Sequence, residues 1–156
     1  MAPRVGLGYD SHRFAEGESL ILGGVEIEHD RGLAGHSDAD VLTHAIMDAL
    51  LGACGLGDIG QHFPPDDDQW RDADSVDLLR TVLGMLPGRP VNVDATLICE
   101  APKLAPHRTE IEARLTEVLG APVSVKATTN EGMGAIGRGE GIACTAVAMV
   151  ETGEGT

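Results

Sequence analysis

Aromatic side chains are scarce in this chain. Tyr9, Phe14, Phe63 and Trp70 are the only ones in 156 residues, so a core has to be built from Val, Leu, Ile, Ala and Met. Lysine is rarer still, with Lys103 and Lys126 alone. Eleven Lys and Arg stand against 25 Asp and Glu, a formal net charge of −14. That balance argues against nucleic acid and against an anionic membrane surface as partners, since both require clustered cations. No apolar run reaches the roughly 20 residues that a membrane-spanning helix needs. The opening Met-Ala-Pro-Arg-Val-Gly has no charged stretch leading into an apolar segment, so no secretion signal is expected. Cysteine occurs three times, at Cys54, Cys99 and Cys144. An odd number of distant cysteines in apolar surroundings reads as reduced core residues and a cytoplasmic protein, not a disulfide framework.

Glycine, by contrast, is plentiful: 21 residues, where a share of ~7% is usual. Such a surplus goes with close backbone packing, with loops that approach a ligand, or with plain solvent loops. The length suits one domain spanning residues 1–156, able to bury roughly 70% of the surface of its open chain.

Residues 4–9 alternate, with Val5, Leu7 and Tyr9 on one face, and predict a strand. Leu20-Ile21-Leu22 and Val25-Glu26-Ile27 flank Gly23-Gly24, a two-residue hairpin turn. A helix is expected over Asp38–Cys54, capped by Ser37, with Val41, Leu42, Ala45, Ile46, Ala49, Leu50 and Ala53 as its apolar stripe. Asp74 or Ser75 caps a second helix, which Pro87-Gly88-Arg89-Pro90 ends. Residues 91–99 alternate as a strand, a third helix runs from Pro106 to Leu119 with Gly120 as its stop, and residues 123–128 and 141–150 are strands. The order predicts an α/β fold: a two-layer domain, a mixed β-sheet with helices packed on one face.

Gly132-Met133-Gly134-Ala135-Ile136-Gly137 matches the G-x-G-x-x-G pattern of dinucleotide sites. It stands near the end of the chain with a strand pattern after it, the wrong context for that function. Asp10-Ser11-His12 is more informative. Residues two apart on a strand share a face, so Asp10 and His12 aim at one point. His44 lies on the first helix with Asp40 and Asp48 one turn away on either side. A carboxylate and two imidazoles with an open fourth position suit a catalytic zinc, and an acid one turn from His44 would orient its ring. A packed histidine beside a chance Asp-x-His fits the same residues. Thr128-Thr129-Asn130-Glu131, with Arg138 beyond it, offers what phosphate and a divalent cation require, or is a polar turn. Ala101-Pro102-Lys103 and the run from Gly57-Asp58-Ile59-Gly60 to Asp67 are, by default, a connection and a loop.

Taken together, these segments resemble the 2-C-methyl-D-erythritol 2,4-cyclodiphosphate synthase family of the non-mevalonate isoprenoid pathway. The resemblance rests on Gly8-Tyr9-Asp10-Ser11-His12, His36-Ser37-Asp38-Ala39-Asp40-Val41 through His44, Leu51-Gly52, Gly57-Asp58-Ile59-Gly60, Phe63-Pro64, Ala101-Pro102-Lys103 and Lys126-Ala127-Thr128-Thr129 through Glu131 to Gly137-Arg138-Gly139-Glu140-Gly141-Ile142-Ala143. It covers nearly the whole chain.

The resemblance implies an enzyme whose CDP-linked methylerythritol 2-phosphate substrate closes to a cyclic diphosphate and expels CMP. It implies Zn²⁺ on Asp10, His12 and His44, and Mg²⁺ or Mn²⁺ at Glu131 with the substrate phosphates. His36 and Thr129 match transition-state stabilisers. Ala101, Pro102, Lys103, Leu104 and Thr128 match a cytidine pocket. Ser37, Asp58, Ile59, Gly60, Phe63, Pro64, Pro65, Asp66, Asp67 and Arg138 fall on segments that hold the rest of the substrate. The family is a homotrimer with inter-subunit sites. Some members bind isoprenoid diphosphates near the three-fold axis, but Ala135 stands where an aromatic is familiar and Tyr9 replaces a common Phe. A tight hydrophobic effector site is therefore not expected here, while Arg138 remains for an anion. On the residues themselves, a zinc phosphoesterase and a non-catalytic nucleotide- or metal-binding trimer are the rival readings.

Overall fold

The computed structural model describes residues 2–153. Among them the strands are β1 (Ala2–Ala15), β2 (Leu20–Leu22), β3 (Val25–Ile27), β4 (Gly32–Leu33), β5 (Gly88–Ile98), β6 (Val123–Thr128) and β7 (Gly141–Thr152). A five-stranded mixed sheet runs in the order β4-β1-β7-β5-β6, with a separate β2-β3 hairpin. The helices are α1 (Val41–Ala53), α2 (Ile59–His62), α3 (Ser75–Met85), α4 (Arg108–Leu119) and α5 (Gly134–Gly137). β7 pairs antiparallel with β1 and β5, while β5 and β6 run parallel. β1, β5 and β6 consequently all end at one edge of the sheet.

β1 carries its apolar alternation outward. Val5, Leu7 and Tyr9 are 62, 71 and 60% exposed. Gly6 and Gly8 form the inward face, because α1 lies on β1 at backbone contact. A Cβ at Gly8 would overlap the Ala45 carbonyl oxygen, and one at Gly6 the Ala49 carbonyl oxygen. Part of the glycine surplus is therefore close packing. It brings α1 so deep that every residue of it but Asp48 and Gly52 is buried, a helix enclosed on all sides and not merely along a stripe.

Ser37 does not cap α1. Asp40 does, accepting from Thr43 N at 3.0 Å and from Thr43 Oγ1 at 2.8 Å. The same fully buried carboxylate accepts from Gly23 N at 2.9 Å and Gly24 N at 2.8 Å. Both glycines have positive φ, 61° and 76°, as the hairpin turn demands. One acid thus ends a helix and fastens a hairpin to it, with four donors to offset the cost of burying it. Asp74 caps α3, and Gly120, at φ 67°, closes α4. β5 begins earlier than its alternation suggests, at Gly88, with a register shift between Pro90 and Asn92 that absorbs the proline. The run from Gly57 to Asp67, expected as a loop, contains α2, and a 3₁₀ turn over Asp68–Trp70 follows it.

Candidate active site and metal centre

Asp10 and His12 leave the inward face of β1 and meet His44 from α1. His12 Nε2 lies 2.8 Å from Asp10 Oδ2, His44 Nδ1 lies 3.0 Å from the same oxygen, and the two ring nitrogens are 3.3 Å apart. All three donors fall within 4.8 Å of one another. The far nitrogens are engaged elsewhere. His12 Nδ1–H donates to the Ala34 carbonyl at 2.9 Å. His44 Nε2 faces two hydroxyls, Ser75 Oγ at 2.9 Å and Ser37 Oγ at 3.0 Å. Each ring is oriented by one nitrogen so that the other points at the common centre.

Burial alone would raise the Asp10 carboxyl, but hydrogen bonds from His12 and His44 outweigh it and hold it at about 2. Burial pulls His12 down, and the Asp10 hydrogen bond more than reverses it, so its proton is held above the ordinary histidine range. Once those protons leave, three lone pairs converge on one centre. A carboxylate and two imidazoles with their outer nitrogens engaged are the donor set that a borderline divalent cation takes, so the group could hold a metal.

Neither Asp40 nor Asp48 orients His44. Asp40 is spent on Gly23, Gly24 and Thr43 as described, and Asp48 Oδ1 accepts from Ile59 N at 2.8 Å. The acid behind His44 is Asp38, reached through Ser75, which donates N–H to Asp38 Oδ2 at 3.0 Å and its hydroxyl to Asp38 Oδ1. Sequence reasoning missed this partner, because Ser75 stands 31 residues from His44 and 37 from Asp38. No local pattern marks it.

The three donors open into a cavity of about 200 Å³ that His36, Ser37, Ile59, Gly60, Phe63 and Pro65 also line. His36 Nε2 is held by the Asp67 carbonyl at 2.9 Å. Asp58 caps α2 by accepting from Gln61 N. Asp67 caps the 3₁₀ turn that carries Trp70 onto Phe63. Pro64 and Asp66 do not line the cavity. Cys144 pairs with Asp10 across β1 and β7; burial raises its thiol to about 12.

The other predicted residues form a second group. Ile98 and Thr128 pair at the ends of β5 and β6, so the 101–104 and 129–131 segments emerge side by side. Glu100 Oε1 accepts from Gly132 N at 2.8 Å, and Thr129 Oγ1 accepts from Glu131 N at 3.2 Å. Pro102, Lys103 and Leu104 border a cleft beside His107, and the Ala101–Pro102 bond is cis. Arg138 is exposed and paired with Glu140 at 2.7 Å. Asp10, Cys144, Leu97 and Ala127 stand in one row. Three strand spacings of about 4.8 Å put Ala127 about 14 Å from Asp10 along that row. None of residues 101–104 or 128–131 lines the metal cavity.

The YgbB family model matches residues 3–151. The chain is 57% identical to 2-C-methyl-D-erythritol 2,4-cyclodiphosphate synthase of Symbiobacterium thermophilum, over 94% of this chain and 97% of that one. It is 58% identical to the synthase of that name from Gloeobacter violaceus, over 95% of this chain and 94% of that one. Among solved structures it is similar to a 2C-methyl-D-erythritol-2,4-cyclodiphosphate synthase in its CDP-bound form, with a TM-score of 0.87, 35% identity, and coverage of 95% of this chain and 100% of that one. With that agreement along nearly its whole length and a converging Asp-His-His group in its cavity, the chain belongs to the YgbB family.

Proposed function

We infer that the protein is a 2-C-methyl-D-erythritol 2,4-cyclodiphosphate synthase, converting 4-diphosphocytidyl-2-C-methyl-D-erythritol 2-phosphate to the cyclic diphosphate and CMP in the non-mevalonate isoprenoid pathway. The carrying observation is the convergence of Asp10, His12 and His44 in a cavity walled by the 36–37 and 59–65 segments, in a chain of this family. An oxygen of the 2-phosphate bonds to the β-phosphorus while the bond from that phosphorus to the CMP oxygen breaks. The nucleophile is already anionic, so the chain supplies no general base. Its task is to neutralise charge and to hold two phosphates together. Positioning of that kind is worth several kcal/mol, up to roughly 7–11.

Zn²⁺ on Asp10, His12 and His44, with Mg²⁺ or Mn²⁺ at Glu131, would supply the Lewis-acid neutralisation of the diphosphate. We assign His36 and Thr129 to the stabilisation of developing charge. Ser37, Asp58, Ile59, Gly60 and Phe63 to Asp67 hold the methylerythritol end, Ala101 to Leu104 and Thr128 the cytidine end, and Arg138 an anion once freed from Glu140. All of residues 1–156 are read as one synthase domain. The cysteines stand unpaired, which supports a reducing cytoplasm. Among the described residues no helix is long and apolar enough to cross a membrane.

The protein is expected to work as a homotrimer, with the metal group of one subunit facing the cytidine group of the next. Two observations support this. The two groups lie apart within one chain, and the sheet leaves Val5, Leu7, Tyr9 and Val147 exposed on its open face. Leu7→Glu places a charge on that face without touching the core. It should convert the trimer to monomers in sedimentation analysis and cost most of the activity; a variant that stays trimeric would refute the interface. For the reaction itself, turnover of the CDP-linked substrate should release CMP and a cyclic diphosphate in equal amounts, measured by phosphorus NMR. An open-chain phosphate product would instead indicate a zinc phosphoesterase.

A further inference from the structure

We propose that Asp38 and Ser75 are positioning residues for the metal centre: together they dictate which nitrogen of His44 faces the ligand cluster. The inference rests on the metal reading above, and goes beyond it to two residues outside the donor set.

The two histidines are oriented by unequal means. His12 gives its Nδ1–H to the Ala34 carbonyl, and a carbonyl can only accept. That contact alone leaves Nε2 to the cluster. His44 Nε2 instead meets the hydroxyls of Ser75 and Ser37. A hydroxyl both donates and accepts, so it would tolerate either tautomer. One tautomer turns a lone pair from Nδ1 toward Asp10 and His12; the other puts a proton there and blocks a cation.

Asp38 removes that freedom. Ser75 is fully buried as the first residue of α3, and its hydroxyl proton goes to Asp38 Oδ1. Its oxygen is left as an acceptor facing His44 Nε2, which must then carry the proton. Asp38 is itself well anchored. Its Oδ2 takes the Ser75 N–H at 3.0 Å, its Oδ1 the Asp40 N–H at 3.2 Å, and its own N–H donates to the Ala73 carbonyl at 3.1 Å. Both carboxylate oxygens therefore face donors. A carboxylate behind a hydroxyl behind an imidazole extends the carboxylate–histidine–metal arrangement by one link.

The asymmetry makes a sharp variant available. Asp38→Asn keeps size and shape but turns one acceptor into a donor. Either orientation of the amide sets its NH₂ against a backbone N–H, that of Asp40 or that of Ser75, so the link to Ser75 is weakened; where the NH₂ faces Ser75 Oγ, the serine proton also swings toward His44 Nε2 and favours the wrong tautomer. Ser75→Ala removes the link outright and leaves Ser37 alone on Nε2.

Zinc affinity is read by competition with a chromophoric chelator, for the unmodified protein and both variants, beside thermal unfolding of the metal-free forms. Partners of this kind are typically worth 10–100-fold in metal affinity. Both variants should lose zinc affinity by that factor, and the visible absorption of their Co²⁺ forms should shift from that of the unmodified protein. Zinc affinity equal to that of the unmodified protein in either folded variant would overturn the proposal, even if that variant melted earlier, since Asp38 and Ser75 would then only join α3 to the loop before α1. Should Asp38→Asn fail to fold, Ser75→Ala decides alone. Failure of the unmodified protein to bind zinc at all would instead refute the metal reading, and the proposal with it.

Discussion

His44→Ala is expected to abolish turnover and to bring bound zinc close to zero. His44 supplies one of three converging donors, and the two that remain, Asp10 and His12, sit two residues apart on one strand. They cannot enclose an ion without the helix opposite. Glu131→Gln is the contrasting variant. Glu131 lies outside the Asp-His-His group, near the end of β6, so its loss should spare the zinc and raise the Mg²⁺ concentration needed for turnover. Metal analysis of the purified variants, with activity titrated against Mg²⁺, checks both. Full activity in a zinc-free His44→Ala protein would reject the ligand assignment.

Gly8→Val should destabilise the protein more than any surface change. The added Cβ has no rotamer by which to escape, because what it meets is the Ala45 carbonyl oxygen and the Ala49 nitrogen of α1. Either the helix moves off the strand or the strand bends. Overpacking usually costs 1–3 kcal/mol and occasionally more; against backbone the upper end applies, about 3 kcal/mol. Native proteins hold only about 5–15 kcal/mol in total. For a chain of this length that cost should lower the melting temperature by roughly 6–12 °C, as calorimetry would show. Gly8 is two residues from Asp10, and Ala45 adjoins His44. A shift that relieves the clash also pulls the donors apart, so any folded Gly8→Val protein should bind zinc weakly. A melting temperature equal to that of the unmodified protein would show that the approach of α1 to β1 is not tight.

Much of the fold was legible because local signals agreed with tertiary demands. The Gly23-Gly24 turn, a cap at Asp74 or Ser75, the Gly120 stop and the alternation of residues 91–99 each specify an element without help from elsewhere. Other features depended on partners far along the chain. Ser37 and Asp40 are both good capping residues, and what favoured Asp40 was a pair of N–H groups from a hairpin 16 and 17 residues upstream. The alternation of β1 was readable, but not which face turns inward, since apolar side chains normally go inside and here glycine does. Of the site, Asp10, His12 and His44 could be grouped from residue type and position on strand and helix, whereas preferring a metal to a packed histidine needed the family resemblance. Asp38 acts through Ser75, on a different helix, and had no signature at all.

The neighbour of Asp10 on β7 has a chemical consequence. Cys144 lies beside a group that could hold a metal, where a thiolate would compete as a soft ligand or fall to oxidants. Burial, with Asp40 and Asp10 adding their negative charge, holds its proton to about pH 12. A thiol held protonated is not the nucleophile that oxidants attack. Among the described residues only Asp10, His12 and His44 bring donor atoms together at this centre, so the sulfur beside them serves as buried bulk.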